Sequence, residues 1–263
     1  REPMILRRVI QHVKKQEWTA IAIDFCIVVL GVFVGIQVSN WNVEREINKK
    51  SAVFTERLKT DLRGEAWGYE YLILYNKDIL ANAERVLSVM ADEADMSDEQ
   101  FVISAYRASQ YKYNVRQRAT YDEMISTGSI DLISDQTLRK TAVEIYTSTL
   151  FDEISRDGQK SEYREIFRRS ISKDVQRALL KQCGDRYVEP LDYVLIVKSL
   201  DYPCRLDVPA EKISAAAESL RSHPALISAL QFRFADVETA IADLEFYSPP
   251  LLNNLREIAG REK

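Results

Sequence analysis

Apolar residues are distributed in three different ways along this chain. In residues 4–17 they are periodic: Ile5, Leu6, Val9, Ile10 and Val13 return at helical spacing, while Arg7, Arg8, Lys14 and Lys15 lie mostly elsewhere. That pattern predicts an amphipathic helix lying on a membrane surface. From Thr19 to Val38 the apolar residues become nearly continuous, with one ionisable group, Asp24, and no proline. At ~1.5 Å rise per residue such a helix covers the ~30 Å hydrocarbon layer of a bilayer. Trp18 and Trp41 bracket it at the separation of interfacial aromatic anchors. No small-x-small cleavage pattern follows before Asn40-Trp41-Asn42, so the segment is expected to remain as an anchor.

Beyond Val43 the pattern returns to three- and four-residue intervals, through Ile47, Phe54, Leu58, Leu62, Leu72, Ile79, Val86 and Leu87. This predicts a long helix to about Met90, with Gly64 or Gly68 as bending points. Ser97 and Gln100 have capping-box spacing and open a second helix to about Gln110, and Tyr111–Val115 alternates like an extended connector. Thr120 is expected to cap a short helix that Gly128 stops. Further helices are expected from Ser134 to about Arg156, over about 160–181 after a break at Asp157-Gly158, from a cap at Asp207 to about Arg221, and from Pro224 onward. Residues 183–206 read as one long irregular loop, and Cys183 and Cys204 at its ends are placed to close it with a disulfide. The predicted architecture is all-α: tail 1–17, transmembrane helix 18–41, and an irregular bundle of about five to seven helices over 42–263.

Composition sharpens this. Glycine (8) and proline (7) are scarce in 263 residues, which suits long helices. The net charge of −4 is uneven: residues 1–17 carry five Lys/Arg against two Glu, and residues 43–263 carry −6. An acidic bulk excludes nucleic acid as the natural partner, whereas the basic tail suits anionic membrane lipid. Lys and Arg are nearly balanced on the two sides of the span, so they vote weakly on orientation. Glu44 and Glu46 just beyond it, together with the cysteine pair, favour a short N-terminus in the cytoplasm and a C-terminal domain in an oxidising compartment.

Within the apolar helix, Gly31, Gly35 and Ser39 recur every four residues, and Asp24 precedes Gly31 by seven. All four lie near one face, which lets a second helix approach closely. The stretches Ile5-Leu6-Arg7-Arg8, His12-Val13-Lys14, Asp24-Phe25, Ile27-Val28-Val29, Gly31-Val32-Phe33-Val34-Gly35 and Gln37-Val38-Ser39-Asn40-Trp41-Asn42 resemble a family of small bacterial single-pass membrane proteins of unknown function. Thr120 to Gly128 and Asp131-Leu132-Ile133 look like that family's internal motif. The resemblance implies a bacterial source and single-pass topology, and transfers no catalytic residues.

Enzymatic signatures are missing. There are two histidines, His12 and His223, and no Walker loop, nucleophile elbow or dinucleotide fingerprint. The acids Glu162 and Glu165, set among Arg164, Arg168 and Arg169, read as an exposed ion-paired helix face. No metal site, cofactor or catalysis is expected. Two roles remain: a scaffold or accessory subunit assembling with itself or a larger inner-membrane complex, and a periplasmic ligand-binding module of the sensory type. The second would have to signal through a partner, since seventeen residues leave no room for an output domain.

Overall fold

The computed structural model describes residues 18–200, 202–247 and 249–261, and among them there is no strand. The chain divides into two units at Val53/Phe54. The first helix among the described residues, α1 (Trp18–Met90), is a single 73-residue element that contains no proline. In the first unit every side chain from residue 22 to residue 50 is exposed, Ile47 included. This helix is long and apolar enough to cross a membrane. The amphipathic segment expected over residues 4–17 and the side chain of Trp18 lie outside the described residues.

In the second unit α1 is buried. Phe54, Leu58 and Leu62 are covered on one stripe, and between Ala66 and Asn76 buried residues occur on several sides of the helix. A helix apolar on more than one face needs neighbours all round it. The elements that follow α1 are α2 (Asp98–Ala108), α3 (Ala119–Ser126), a 3-10 turn at Ile130–Leu132, α4 (Gln136–Thr147), α5 (Leu150–Lys160), α6 (Glu162–Ser170), α7 (Lys173–Cys183), α8 (Tyr193–Leu200), α9 (Ala210–Arg221), α10 (Leu226–Ala242), a π-helical turn at Asp243–Tyr247 and α11 (Pro249–Ile258). Phe54 to Ile73 of α1 pack with Met124 of α3, Leu138 and Ile145 of α4, Phe151 of α5 and Leu255 of α11. Ala83 and Val86 join a second cluster with α2, α6, α7, α9 and α10. Tyr71, Tyr75 and Ile79 form a third with Val188, Ile196 and Val237.

The all-α architecture is the expected one, but its helices are shorter and more numerous. Serines end the periodic runs: Ser148 follows α4, and Ser161 separates α5 from α6, accepting the Arg164 N–H as an N-cap. Asp157-Gly158 lies inside α5 instead of dividing two helices. Glycine is needed at 158 because a Cβ there would stand 2.7 Å from the Cβ of Tyr111. The presumed loop 183–206 contains α8, where the β-branched run Val194–Val197 is helical because fully buried Ile196 is a core contact for α1. Asp192 Oδ1 accepts the Leu195 N–H at its start.

Gly64 and Gly68 lie inside the continuous helix α1. They make room for the connector between α2 and α3, and a Cβ at either position would stand 2.4 Å from Oε1 of Gln117 or 3.1 Å from Oδ1 of Asn114. Capping departs from expectation in three places. The Thr120 N–H is met by Asp61 Oδ2 rather than Thr120 capping α3 itself. Asp135 caps α4 through the Leu138 N–H. The Asp207 N–H is held by Gln182 Oε1, and α9 begins after Pro209. Ser97 caps α2 by accepting the Gln100 N–H, and Gly128, at φ +65°, turns the chain out of α3.

Candidate functional site

The four small or polar residues singled out on the apolar helix all fall in the first unit. At 100° per residue, Asp24, Gly31, Gly35 and Ser39 span an arc of about 80°, and a Cβ at Gly31 or Gly35 would meet nothing within 4 Å. Trp41 is exposed, as is the free thiol of Cys26.

In the second unit Cys183 and Cys204 form a disulfide, with Cα atoms 5.4 Å apart. The bond joins the last residue of α7 to the segment after α8. Tyr202 reinforces the junction: its hydroxyl donates to the Gly184 carbonyl at 2.5 Å, its carbonyl accepts from Arg107 Nη2 at 2.7 Å, and Arg186 lies over its ring at 3.4 Å.

Two arginines, each lining a different cleft, meet carbonyls at the end of α2, where helix carbonyls lack intrahelical donors. Arg164 Nη1 donates to the Ser109 carbonyl at 2.8 Å and Arg233 Nη2 to that of Gln110 at 3.0 Å. Arg233 is only 4% exposed and its Nε has no hydrogen-bond partner. Burial pushes its guanidinium pKa down to about 10, against the pull of Asp236. Arg233 lines a cleft of about 490 Å³ together with Glu153, Asp157, Lys160, Glu162 and Asp236, a mixture in which acids predominate.

The other cleft, about 360 Å³, has the opposite character. Its charged lining is Arg164 and Arg168 from α6 and Lys173 and Arg177 from α7, each pair four residues apart. The i,i+4 spacing places each pair on one face of its helix, and the sharp turn through Ile171 and Ser172 brings the faces together. Arg164 is half buried, and its guanidinium lies 4.9 Å from the Tyr111 ring centroid. Its pKa is lowered, first by burial and then by the charge of Arg168. Tyr106, Phe167 and Leu180 supply an apolar floor, and Ser109, Gln110 and Gln176 the polar remainder. Of the arginines expected to form an ion-paired surface, only Arg169 does so, with Glu165 at 3.3 Å. Arg164 and Arg168 turn to the cleft instead. Their spacing relative to Lys173 and Arg177 was visible, but the tight α6–α7 turn that unites the two pairs was not.

Among the described residues, no group of three or more His, Cys, Asp or Glu side chains is arranged to hold a metal. Residues 24–197 match the family described as "Family of unknown function (DUF6090)", about two thirds of the chain. The chain belongs to that family. The DUF6090 match takes in Asp24, Gly31, Gly35 and Ser39, all four cations of the basic cleft and Cys183, and it ends before Cys204 and Arg233. No curated protein and no solved structure matches the chain.

Proposed function

We propose that this DUF6090 protein is a membrane-anchored helical scaffold or accessory subunit of a bacterial inner membrane, without catalytic activity. It assembles with itself or with a larger membrane complex through the Asp24, Gly31, Gly35 and Ser39 face of α1. The observation that carries this reading is the exposure of every side chain over residues 22–50, most of them apolar through residue 41. A surface of that size suits hydrocarbon and partner helices, not water. The open glycines support close approach of a second helix.

Crosslinking in membranes tests assembly. Gly31→Leu and Gly35→Leu keep hydrophobicity while keeping helices apart, so the crosslinked fraction is expected to fall severalfold, corresponding to about 1 kcal/mol of association energy. Leu at Val32 or Val34, on other faces, is the control. Equal crosslinking of all four variants and the parent would remove this face from the assembly. Asp24→Asn keeps size and hydrogen bonding and separates the role of charge from that of shape.

In the proposed orientation the N-terminal tail is cytoplasmic and the second unit periplasmic, which is supported by the Cys183–Cys204 bond, since such bonds persist in oxidising compartments. A phosphatase fused after Lys263 is then expected to be active and a cytoplasmic fluorescent reporter there dark. The reverse pattern overturns the orientation. The basic cleft favours a second reading, a ligand-binding module that signals through a partner.

A further inference from the structure

We propose that the cleft between α6 and α7 binds a small organic dianion of the phosphate-monoester class. Its charged group sits among Arg164, Arg168, Lys173 and Arg177, and its apolar part lies along Leu180 and the edges of Phe167 and Tyr106. This rests on the second unit alone and is independent of helix association in the membrane.

Four cations line the cleft and no acid does. The acids carried by the same two helices are engaged elsewhere: Glu165 pairs with Arg169, Asp174 with Lys212 at 2.5 Å, and Glu162 lines the other cleft. Arg168, Lys173 and Arg177 make no salt bridge among the described residues, in a domain that pairs ten other basic side chains. Arg164 is anchored by Ser109 and held half buried beside Arg168, so like charges stand at close range, offset in part by Asp174, which feels Lys173 and Arg177 while it bonds Lys212. A ligand that supplies negative charge relieves that repulsion.

The geometry narrows the ligand further. Arginine presents a planar fork that matches the paired oxygens of phosphate or carboxylate. One carboxylate carries too little charge for four cations, whereas a phosphate monoester brings close to two near neutral pH and three acceptor oxygens. The volume, about 360 Å³, accommodates a small molecule. An inorganic ion alone would leave the apolar floor uncovered, where Leu180 is 70% exposed. The same phosphate-monoester chemistry is offered by a soluble ester and by the headgroup of phosphatidic acid.

The test uses the full chain in nanodiscs of phosphatidylcholine, titrated with phenyl phosphate by calorimetry, with phenol as the uncharged comparison. Saturable binding of phenyl phosphate but not phenol is expected. The double variant Arg168→Gln/Arg177→Gln, at two exposed positions, should weaken it about tenfold or more, each lost charge-assisted bond counting for roughly that factor. Lys173→Gln should weaken it less, and Arg169→Gln, next in sequence but paired with Glu165, should leave it unchanged. Repeating the titration in discs that contain phosphatidic acid, whose headgroup is a phosphate monoester, separates the sources. A weaker apparent affinity there means that the headgroup occupies the cleft, and an unchanged one means that a soluble ester is the ligand. If phenyl phosphate shows no saturable binding in phosphatidylcholine discs, or if the double variant binds as tightly as the parent while melting normally, the proposal is overturned.

Discussion

Glu65→Ala is expected to remove about 3–5 kcal/mol from the stability of the helical domain, the range for breaking a buried ion pair from one side. Glu65 is 2% exposed and holds three things at once. One oxygen accepts from Arg116 Nε at 2.8 Å, the other accepts the Gln117 N–H at 2.6 Å, and the arginine so fixed donates from Nη2 to the Ile145 carbonyl at 2.6 Å. Alanine leaves the Gln117 N–H unpaired and a guanidinium, packed over Phe151 at 4.6 Å, without its counter-charge. The connector from α2 to α3 would then lose the tie that presses it against Gly64 and Gly68. Thermal unfolding of the full chain in mild detergent, followed by circular dichroism, should show a midpoint lowered on the order of 10 °C.

The pH dependence of that loss has a definite sign. Burial raises the Glu65 carboxyl above its ordinary 4.5, outweighing the pull of Arg116. The native state therefore binds this proton more readily than the unfolded chain does. The contribution of the group is fully present below the unfolded value and declines as pH rises through the native one. The gap between parent and Glu65→Ala is expected to widen on acidification from neutral pH through that window. Asp98 behaves oppositely, because hydrogen bonds from Arg221 and Ser214 hold its carboxyl below the ordinary range. Its contribution is present above the unfolded value and lost as pH falls through the native one. A gap that narrows on acidification would mean that the charge of Arg116, not burial, governs Glu65.

Features written in local sequence were legible before the fold was seen. The apolar run, the helical periodicity, the Ser97 cap and the Gly128 stop each depend on residues within a few positions of one another. The features that were missed depend on distant contacts. The connector over residues 109–118 makes few bonds within itself and takes its partners from far away: Glu65, Tyr146, Ser155, Arg164 and Arg233. Val194–Val197 has strand-like composition, yet burial of Ile196 against α1 outweighs the small helix penalty of β-branched residues. Arg164 and Arg168 resembled a solvated stripe because an i,i+4 pair looks the same whether it faces water or a second basic helix. Only the turn at Ile171-Ser172, too short to recognise in a periodic run, decides between them.

Loss of the Cys183–Cys204 bond is expected to lower stability by about 3 kcal/mol, from the chain entropy released when a cross-link of 21-residue separation is cut. The effect should be local before it is global. Tyr202 still bonds Gly184, and Arg107 and Arg186 still grip Tyr202, so the junction keeps contacts that do not depend on sulfur. By contrast α8 has few buried residues, Ile196 and Ser199 among them, and relies on the closed loop to stay docked on Tyr75 and Ile79. Hydrogen exchange across 188–206 is therefore expected to accelerate more than exchange in α1 or α6. The measurement begins with mass spectrometry of a non-reduced digest, which should recover the peptides containing Cys183 and Cys204 as one species and Cys26 as a free thiol. Melting follows, with and without reductant: the parent midpoint should drop on reduction, whereas Cys183→Ser/Cys204→Ser should start low and ignore the reductant. Two free thiols in protein taken from intact membranes would refute the bond in the cell. They would also take away the principal support for placing this domain in an oxidising compartment, leaving the reporter fusions at Lys263 to decide the orientation alone.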